Sequence, residues 1–261
     1  MFGSKVAETR GLAANDTNPP KTGTLYMSKC PAPPVSRRTR ASSTLSPHLQ
    51  LTLAQLENNW AALGYANGLG LCPNHTFDIH FSKGRLVDPW NQARQCLQEF
   101  LKSARQWIER EHGRGIERKK GETAYVWVLE NRGDGDGHGV HAHVVFHVPP
   151  NLVVRFHQLK ARWARKAGLD MSIADVLNHE DMPTLEAAKG KMKYMSKDLH
   201  PRHWDTFKLP WRDPETGIIS ERVHLHDKGK PSDQPIYGKK TGVSRNIDAK
   251  ARSQTAARRS G

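Results

Sequence analysis

Cysteine is scarce in this chain of 261 residues, which has only three, at positions 30, 72 and 96. An odd number of widely spaced cysteines without a paired motif argues against a disulfide framework and a zinc knuckle, and it favours a reducing compartment. Long apolar runs are also missing: no stretch approaches the roughly 18 apolar residues of a membrane span, and residues 1–5 have no apolar signal core. We therefore expect a cytoplasmic protein without membrane association.

Acidic residues are in deficit as well. The chain has 26 Asp and Glu against 40 Lys and Arg, which gives a formal net charge of +14. Such an excess favours a polyanionic partner, and the abundance of Arg and Trp favours nucleic acid over a membrane surface. The low apolar content of 36% indicates that much of the chain is solvated. One core domain of about 150 residues with tails fits this length best.

The composition changes along the chain and suggests three parts. Residues 1–48 are rich in Pro, Ser, Thr and Ala and carry several arginines, so we predict a disordered basic segment. Residues 49–210 are predicted to form the core domain. Residues 211–261 are predicted to be a basic extension, partly disordered, whose lysines and arginines either contact phosphate or are simply solvated.

Hydrophobic periodicity predicts the elements of the core domain. Strands are predicted at 76–81, 125–130, 140–148 and 171–176, and helices at 51–62, after Asp88-Pro89, after Pro149-Pro150 and from Thr184 onward. From residue 76 the order is strand, helix, strand, strand, helix, strand, helix. This order predicts an α+β fold: a ferredoxin-like or RRM-like antiparallel sheet (split βαβ) with an added helix. Two helices would cover one face of the sheet and leave the other face open.

The strand at 140–148 carries a candidate metal site. His141 and His143 lie two residues apart, so both point to the same side of the sheet, while the residues between them and beyond are apolar. Glu130 ends the neighbouring strand, where a carboxylate could be the third ligand, and His138 and His147 are alternatives to it. Two imidazoles and a carboxylate suit Mn²⁺ or another borderline divalent ion, and Mg²⁺ is chemically possible.

The helix from Thr184 carries a candidate nucleophile. At about 100° per residue, Tyr194 falls roughly 140° from the centre of the helix's apolar stripe, so it lies on the polar side. Lys197 follows one turn later and could hold a phosphate. The alternative interpretation is a surface tyrosine flanked by solvated lysines. Together with the histidine pair, Tyr194 and Lys197 would complete a site that cleaves phosphodiesters.

A second histidine pair occurs at His224 and His226. A turn at 227–231 follows it immediately, and no tyrosine-bearing helix comes after it. We therefore expect a solvated strand end at this position rather than a metal site.

At these motifs the chain resembles the HUH endonucleases, specifically the rolling-circle replication initiators of small plasmids and single-stranded DNA phages. Three motifs carry the resemblance, which covers about residues 75–200: Phe77-Asp78-Ile79-His80-Phe81, His141-Ala142-His143 and Tyr194-Met195-Ser196-Lys197. The chain has no Walker-type Gly-Lys-Ser/Thr run, so an ATPase domain is not expected.

The resemblance implies a metal-dependent nick of single-stranded DNA. Tyr194 would form a 5′-phosphotyrosine bond and leave a free 3′-hydroxyl, and the partner would be single-stranded DNA at a replication origin, with a hairpin and host replication proteins as further candidates. Relaxases and single-tyrosine transposases share this chemistry and stay open as alternatives. A non-catalytic RRM-like nucleic-acid-binding protein is a third, but it would carry aromatic residues on the open face of the sheet.

Overall fold

The chain forms five α-helices and seven short strands in the residues that the computed structural model describes, which are 47–48, 50–112, 123–133, 139–199, 234, 236–237 and 239–259. The strands are β1 (Pro47–His48), β2 (His75–His80), β3 (Tyr125–Asn131), β4 (Val140–Phe146), β5 (Leu177–Asp181), β6 (Ile236–Tyr237) and β7 (Thr241–Val243). The helices are α1 (Leu53–Gly68), α2 (Pro89–His112), α3 (Val153–Lys166), α4 (Leu185–Met195) and α5 (Ala249–Arg259). Residues 1–46 and 200–233, which include most of the predicted N-terminal segment and the start of the predicted extension, lie outside the described residues.

Five strands form one antiparallel sheet in the order β5-β2-β4-β3-β7, while β1 and β6 pair with each other. Helices and an antiparallel sheet in one unit confirm the predicted α+β class. The central strand β4 places His141 opposite His80 of β2 on one side and opposite Glu130 of β3 on the other. His143 lies opposite Asp78 of β2. Polar residues from three strands are thus brought next to one another.

Helices α2 and α3 cover one face of the sheet. The buried aromatic residues of this layer include Phe77, Phe100, Phe146, Phe156 and Trp163, which come from β2, α2, β4 and α3. Burying a side chain the size of Phe stabilises the fold by about 1.5–3 kcal/mol relative to leaving it exposed. This layer therefore stabilises the sheet that supports the polar residues.

The sequence pattern predicts that the other face of the sheet is open. In the structure this face is partly covered. Helices α1 and α4 pack on part of it, and a second apolar cluster contains Trp60 and Met192 from these helices together with Val126, Val128 and Val145 from the sheet. The valines explain the difference, because strands with apolar residues on both faces are buried on both sides. Only the polar part of this face stays clear of the apolar packing.

The last strand of the predicted domain lies further along the chain than expected. The prediction for 171–176 was wrong, since this segment forms turns and the strand begins at Leu177. Asp170 accepts hydrogen bonds from the backbone N–H and the hydroxyl of Ser172, and Asp175 adopts a left-handed backbone with φ of 61°. This local turn chemistry competes with the strand conformation. As the edge strand, β5 is largely exposed, so it lacks the apolar alternation that would have identified it.

Several helix ends follow the predicted sequence signals. Pro89 opens α2 after Asp88, and Thr184 caps α4 by accepting a hydrogen bond from the Ala187 N–H. Gly168, at φ of 102°, ends α3 in a left-handed conformation. The predicted first helix is longer than expected and runs over Leu53–Gly68. None of the helices in the described ranges has the length and apolar character that crossing a bilayer requires.

Residues 239–259, which fall within the predicted basic extension of 211–261, belong to the folded unit. Strand β7 pairs with β3, and Gly242 lies so close to the Trp127 ring that a Cβ atom there would be 2.7 Å from it. Lys240 is fully buried and forms an ion pair with Asp198, which is also fully buried. The basic composition concealed this role, because a lysine is almost never fully buried unless it is paired.

Replacing Lys240 with methionine is expected to lower the free energy of unfolding by about 3–5 kcal/mol, because it leaves a buried carboxylate without its counter-ion. Chemical denaturation of the variant measures the loss. Lys239→Met is the matched control, since Lys239 is the exposed neighbour of the same residue type and should change stability little. The double variant Lys240→Met with Asp198→Asn should recover part of the loss, and a Lys240→Met protein of unchanged stability would contradict the assigned ion pair.

Candidate metal centre and tyrosine site

Three buried side chains converge on the polar part of the sheet, and they are the three residues that the sequence analysis proposed as metal ligands. Glu130 Oε2 lies 3.3 Å from His141 Nε2, and Glu130 Oε1 lies 3.5 Å from His143 Nε2. Each residue offers one ligand atom, and these atoms all lie within 4.8 Å of one another. The strand register explains the arrangement, because Glu130 and His141 are directly paired across β3 and β4.

The outer nitrogens of both imidazoles are held by hydrogen bonds. His141 Nδ1 lies 3.1 Å from the backbone oxygen of Gly139, and His143 Nδ1 lies 2.6 Å from Oδ1 of Asp78. With these oxygens as acceptors, each Nδ1 carries the hydrogen and each Nε2 is left to face Glu130. Metal-binding histidines are typically oriented by this kind of outer hydrogen bond.

Charge in the cluster is balanced by close contacts. Burial alone would raise the pKa of the Glu130 carboxyl, but the imidazoles of His143 and His141 and the ammonium of Lys197 hold it well below its usual range. Burial alone would lower the pKa of His143, yet Glu130 and Asp78 outweigh this effect and raise it. The arrangement therefore stabilises a carboxylate anion next to a positive charge, and a divalent cation can provide that charge in place of a proton.

The cluster fits a divalent metal ion by two further criteria. Both carboxylate oxygens of Glu130 and Nε2 of His143 are buried, and within the described part of the chain none of them has a well-aligned hydrogen bond, although Lys197 and the imidazoles lie close, which is uncommon for buried polar atoms. Ligand atoms that bind one first-row ion at about 2.0–2.2 Å lie roughly 3–3.5 Å apart. The Glu130 oxygens lie at such distances, 3.3 Å from Nε2 of His141 and 3.5 Å from Nε2 of His143. Two imidazole nitrogens and one carboxylate match the borderline ions predicted from the sequence, Mn²⁺ in particular.

Tyr194 lies beside this cluster. Its ring centroid is 5.1 Å from that of His143, in an edge-to-face arrangement. Helix α4 positions it by burying Ala188, Met192 and Met195 against the second apolar cluster, which leaves the opposite side of the helix facing the polar residues. The position of Tyr194 on the polar side of α4 thus agrees with the helical-wheel prediction.

Lys197 lies between the tyrosine and the cluster. Its Nζ is 3.4 Å from the centroid of the Tyr194 ring and 3.0 Å from Oε2 of Glu130. The sequence predicted that Lys197 lies on the same helix as Tyr194, one turn further on. In the structure it lies in the 3₁₀ turn Ser196–Asp198 that follows α4. Trp60 Nε1 donates a hydrogen bond to the Ser196 hydroxyl, so α1 helps to hold this turn in place.

The structure adds two residues to which the sequence analysis gave no role. Asp78 accepts the His143 hydrogen bond and lies 3.0 Å from Nζ of Lys191, which is on α4. Burial alone would raise the pKa of Asp78, but the His143 hydrogen bond and Lys191 lower it strongly. The alternation of Asp78 with Phe77 and Ile79 was the signal that it faces the histidines.

The alternative metal ligands are not seen in this cluster. His147 Nδ1 lies 2.9 Å from the backbone oxygen of Cys72, so this imidazole is engaged elsewhere on the sheet. His138, His224 and His226 lie outside the described residues. Among the described residues, Glu130 is therefore the third ligand that the geometry favours.

Replacing Glu130 with glutamine is expected to weaken Mn²⁺ binding by at least about tenfold, because the side chain keeps its shape but loses the charge that attracts the ion. Calorimetric titration of Mn²⁺ into the variant measures this. Glu186→Gln, an exposed change on α4, is the control and should leave Mn²⁺ affinity unchanged. Full Mn²⁺ affinity in Glu130→Gln together with a loss in His138→Ala would show that the third ligand had been assigned wrongly.

The chain was compared with protein-family models, with curated proteins and with solved structures, and none of them matches it. The contacts among Glu130, His141, His143, Tyr194 and Lys197 are therefore the main basis for a functional proposal.

Proposed function

We propose that this protein is a metal-dependent nickase and strand transferase of the HUH type that acts on single-stranded DNA and initiates rolling-circle replication. The observation that carries the proposal is the contact of Tyr194 with His143, two residues far apart in the sequence. A nucleophile beside a metal-binding cluster is the minimum that such a transesterification requires.

The fold supports the same proposal. The chain passes in turn through β2, α2, β3, β4, α3 and β5, and the four strands lie in the spatial order β5-β2-β4-β3. A split βαβ unit of the ferredoxin-like kind has this antiparallel connectivity. Strand β7, helix α1 and the tyrosine-bearing helix α4 are additions to that plan, and α4 is the addition that the proposed chemistry needs.

The proposed reaction exchanges one phosphate ester for another. The Tyr194 oxygen forms a bond to the phosphorus, the bond from phosphorus to the 3′-oxygen breaks, and the phenolic proton is ultimately balanced by the proton on the released 3′-hydroxyl. The 5′-phosphotyrosine keeps the ester bond, so the same steps in reverse rejoin a strand. A divalent ion held by Glu130, His141 and His143 would polarise the phosphate.

Lys197 has a specific role in this proposal. Its ammonium lies against both the Tyr194 ring and the Glu130 carboxylate, so a phosphate that approaches the tyrosine meets a positive charge in a position fixed by the fold. Preorganised charges of this kind stabilise the negative charge that develops on a transferring phosphoryl group. In this proposal Lys197 binds the phosphate. Asp78 orients His143 through a hydrogen bond, and Lys191 links α4, the helix that bears Tyr194, to Asp78.

A purely nucleic-acid-binding sheet is less consistent with the structure. Modules of the RRM type stack bases on aromatic side chains of an exposed sheet face. Here that face carries Glu130, His141 and His143, and α1 and α4 cover its apolar part. Histidines and a buried carboxylate serve metal chemistry better than base stacking.

The proposal is tested by incubating the intact chain with 5′- and 3′-labelled single-stranded oligonucleotides and Mn²⁺. The expected product is a protein–DNA adduct that survives denaturing electrophoresis and carries the 3′ label, because the tyrosine ester holds the 5′ end of the downstream fragment, while the 5′-labelled fragment is released. The 3′-hydroxyl fragment should appear in equal amount. Binding without an adduct across origin-like hairpin and linear substrates would support the binding-module alternative instead.

A further inference from the structure

A second group of histidines lies at the edge of the sheet, away from the proposed nicking site. It contains His75 at the start of β2, His157 on α3 and Asp181 at the end of β5, each of which offers one ligand atom within 4.8 Å of the others. His75 Nδ1 lies 2.8 Å from Oδ1 of Asp181, and His157 Nε2 lies 3.8 Å from the same oxygen. Imidazoles from β2 and α3 thus both approach one carboxylate oxygen on β5.

This group is on the opposite face of the sheet from Glu130, His141 and His143. The His75 ring stacks on Phe156 of α3, with 6.4 Å between the ring centroids, and Phe156 belongs to the apolar layer between the sheet and α2 and α3. The sheet therefore separates the two clusters, and no side chain belongs to both. A ligand bound here would not be a second occupant of the nicking site.

We infer that His75, His157 and Asp181, with His179 as a fourth donor, form a zinc site. His179 is on β5, and its ring centroid lies 4.5 Å from that of His157. Three imidazoles and a carboxylate are a donor set that zinc accepts in tetrahedral geometry, whose ligand atoms lie about 3.3 Å apart at bond lengths of about 2.0–2.1 Å. The two distances to Asp181 lie on either side of that value.

The donors differ in burial: His75 is buried and His157 partly buried, whereas Asp181 and His179 are exposed. His75 is 3% exposed and is held at Asp181, while Nδ1 of His157 is buried and makes no hydrogen bond to any residue in the described ranges. A buried ring nitrogen without a partner is uncommon, because its lone pair or hydrogen is removed from water without compensation.

Lys160 already provides a positive charge at this place. It is on α3, one turn from His157, and its Nζ contacts Nδ1 of His179. Zinc and the Lys160 ammonium therefore compete for the His179 nitrogen and for the negative charge of Asp181. Removing the ammonium should therefore strengthen zinc binding, by about tenfold if one unit charge is relieved across a partly exposed site.

Zinc at this site would join α3 to β2 and to the edge strand β5. The edge strand is polar and exposed, so few apolar contacts hold it against the sheet. A metal ion shared by these elements would fix the edge and would make stability depend on zinc.

The test uses the intact chain after removal of metal with a chelator. The protein is equilibrated with buffered free Zn²⁺, bound zinc is counted by atomic emission, and thermal unfolding is recorded with and without the chelator. Four variants are compared: His143→Ala for the nicking site, His157→Ala for the new site, Lys160→Ala for the competing ammonium, and Gln158→Ala as the control. Gln158 is the exposed neighbour of His157 on the same helix.

The expected result is about one fewer zinc ion per chain for His157→Ala than for the parent chain and for Gln158→Ala, and tighter zinc binding by Lys160→Ala. His157→Ala should also lose the stabilisation by zinc that remains in His143→Ala. The inference is overturned if His157→Ala binds as much zinc as the control, or if Lys160→Ala binds it more weakly. Loss of zinc in His157→Ala but not in His143→Ala would support this site, whereas the nicking site is tested by its Mn²⁺ affinity, so the two ideas fail separately.

Discussion

The Tyr194→Phe protein is expected to bind single-stranded DNA with nearly unchanged affinity and to form no covalent DNA adduct. The substitution removes only the hydroxyl, and the aromatic ring that contacts His143 and Lys197 stays in place. Loss of a nucleophile typically lowers the rate by about a thousandfold or more. Denaturing electrophoresis measures the adduct, and fluorescence anisotropy of a labelled oligonucleotide measures binding.

Tyr125→Phe is the matched control for this experiment. Tyr125 is a partly buried tyrosine whose ring stacks on Phe146, on the face of the sheet that α2 and α3 cover, so the control loses a phenolic hydroxyl far from the cluster. It should form the adduct at the rate of the parent chain. An adduct that persists in Tyr194→Phe would place the nucleophile on another residue, and Tyr237 would be the next to replace.

Removing either histidine of the central strand is expected to have an equally large effect. His141→Ala and His143→Ala should each lower Mn²⁺ affinity by about 100-fold or more and reduce nicking to background, because each removes one of three ligands and leaves Glu130 with less compensation for its buried charge. Calorimetric titration of Mn²⁺ measures affinity, and circular dichroism shows whether the fold is retained.

His147→Ala is the control for the two ligand variants. This histidine follows the same strand, but its ring contacts the backbone oxygen of Cys72 rather than the cluster. It should retain both Mn²⁺ affinity and nicking. Unchanged Mn²⁺ affinity in a folded His143→Ala protein would be incompatible with the proposed metal centre.

The sequence predicted the parts of this fold that depend on local chemistry. Proline after Asp88 and threonine at position 184 mark helix starts because they satisfy or spare backbone N–H groups at the first turn. The His-x-His pattern predicts two imidazoles on one face, since strand side chains alternate. Glu130 could be proposed as a ligand because it ends the strand beside the histidines, and the structure places it there.

Features that depend on contacts between residues far apart in the chain could not be predicted from these local sequence patterns. The pairing of Asp78 with His143 follows from the register between β2 and β4, and the contact of Lys191 with Asp78 follows from the packing of α4 on the sheet. The edge strand β5 has no apolar periodicity because one of its sides faces solvent. Lys240 was interpreted either as a phosphate contact or as a solvated charge, since composition does not reveal that it is buried in an ion pair with Asp198.

The ion pair between Lys240 and Asp198 also has a consequence for the order in which the molecule is made. Asp198 immediately follows Lys197, and its cationic partner lies more than forty residues further along the chain. A ribosome completes residue 198 well before residue 240, so for part of synthesis the buried carboxylate lacks this counter-ion. The turn that holds Lys197 beside Tyr194 can therefore reach its full stability only after β7 has emerged and joined the sheet, when nearly all of the described structure has been made.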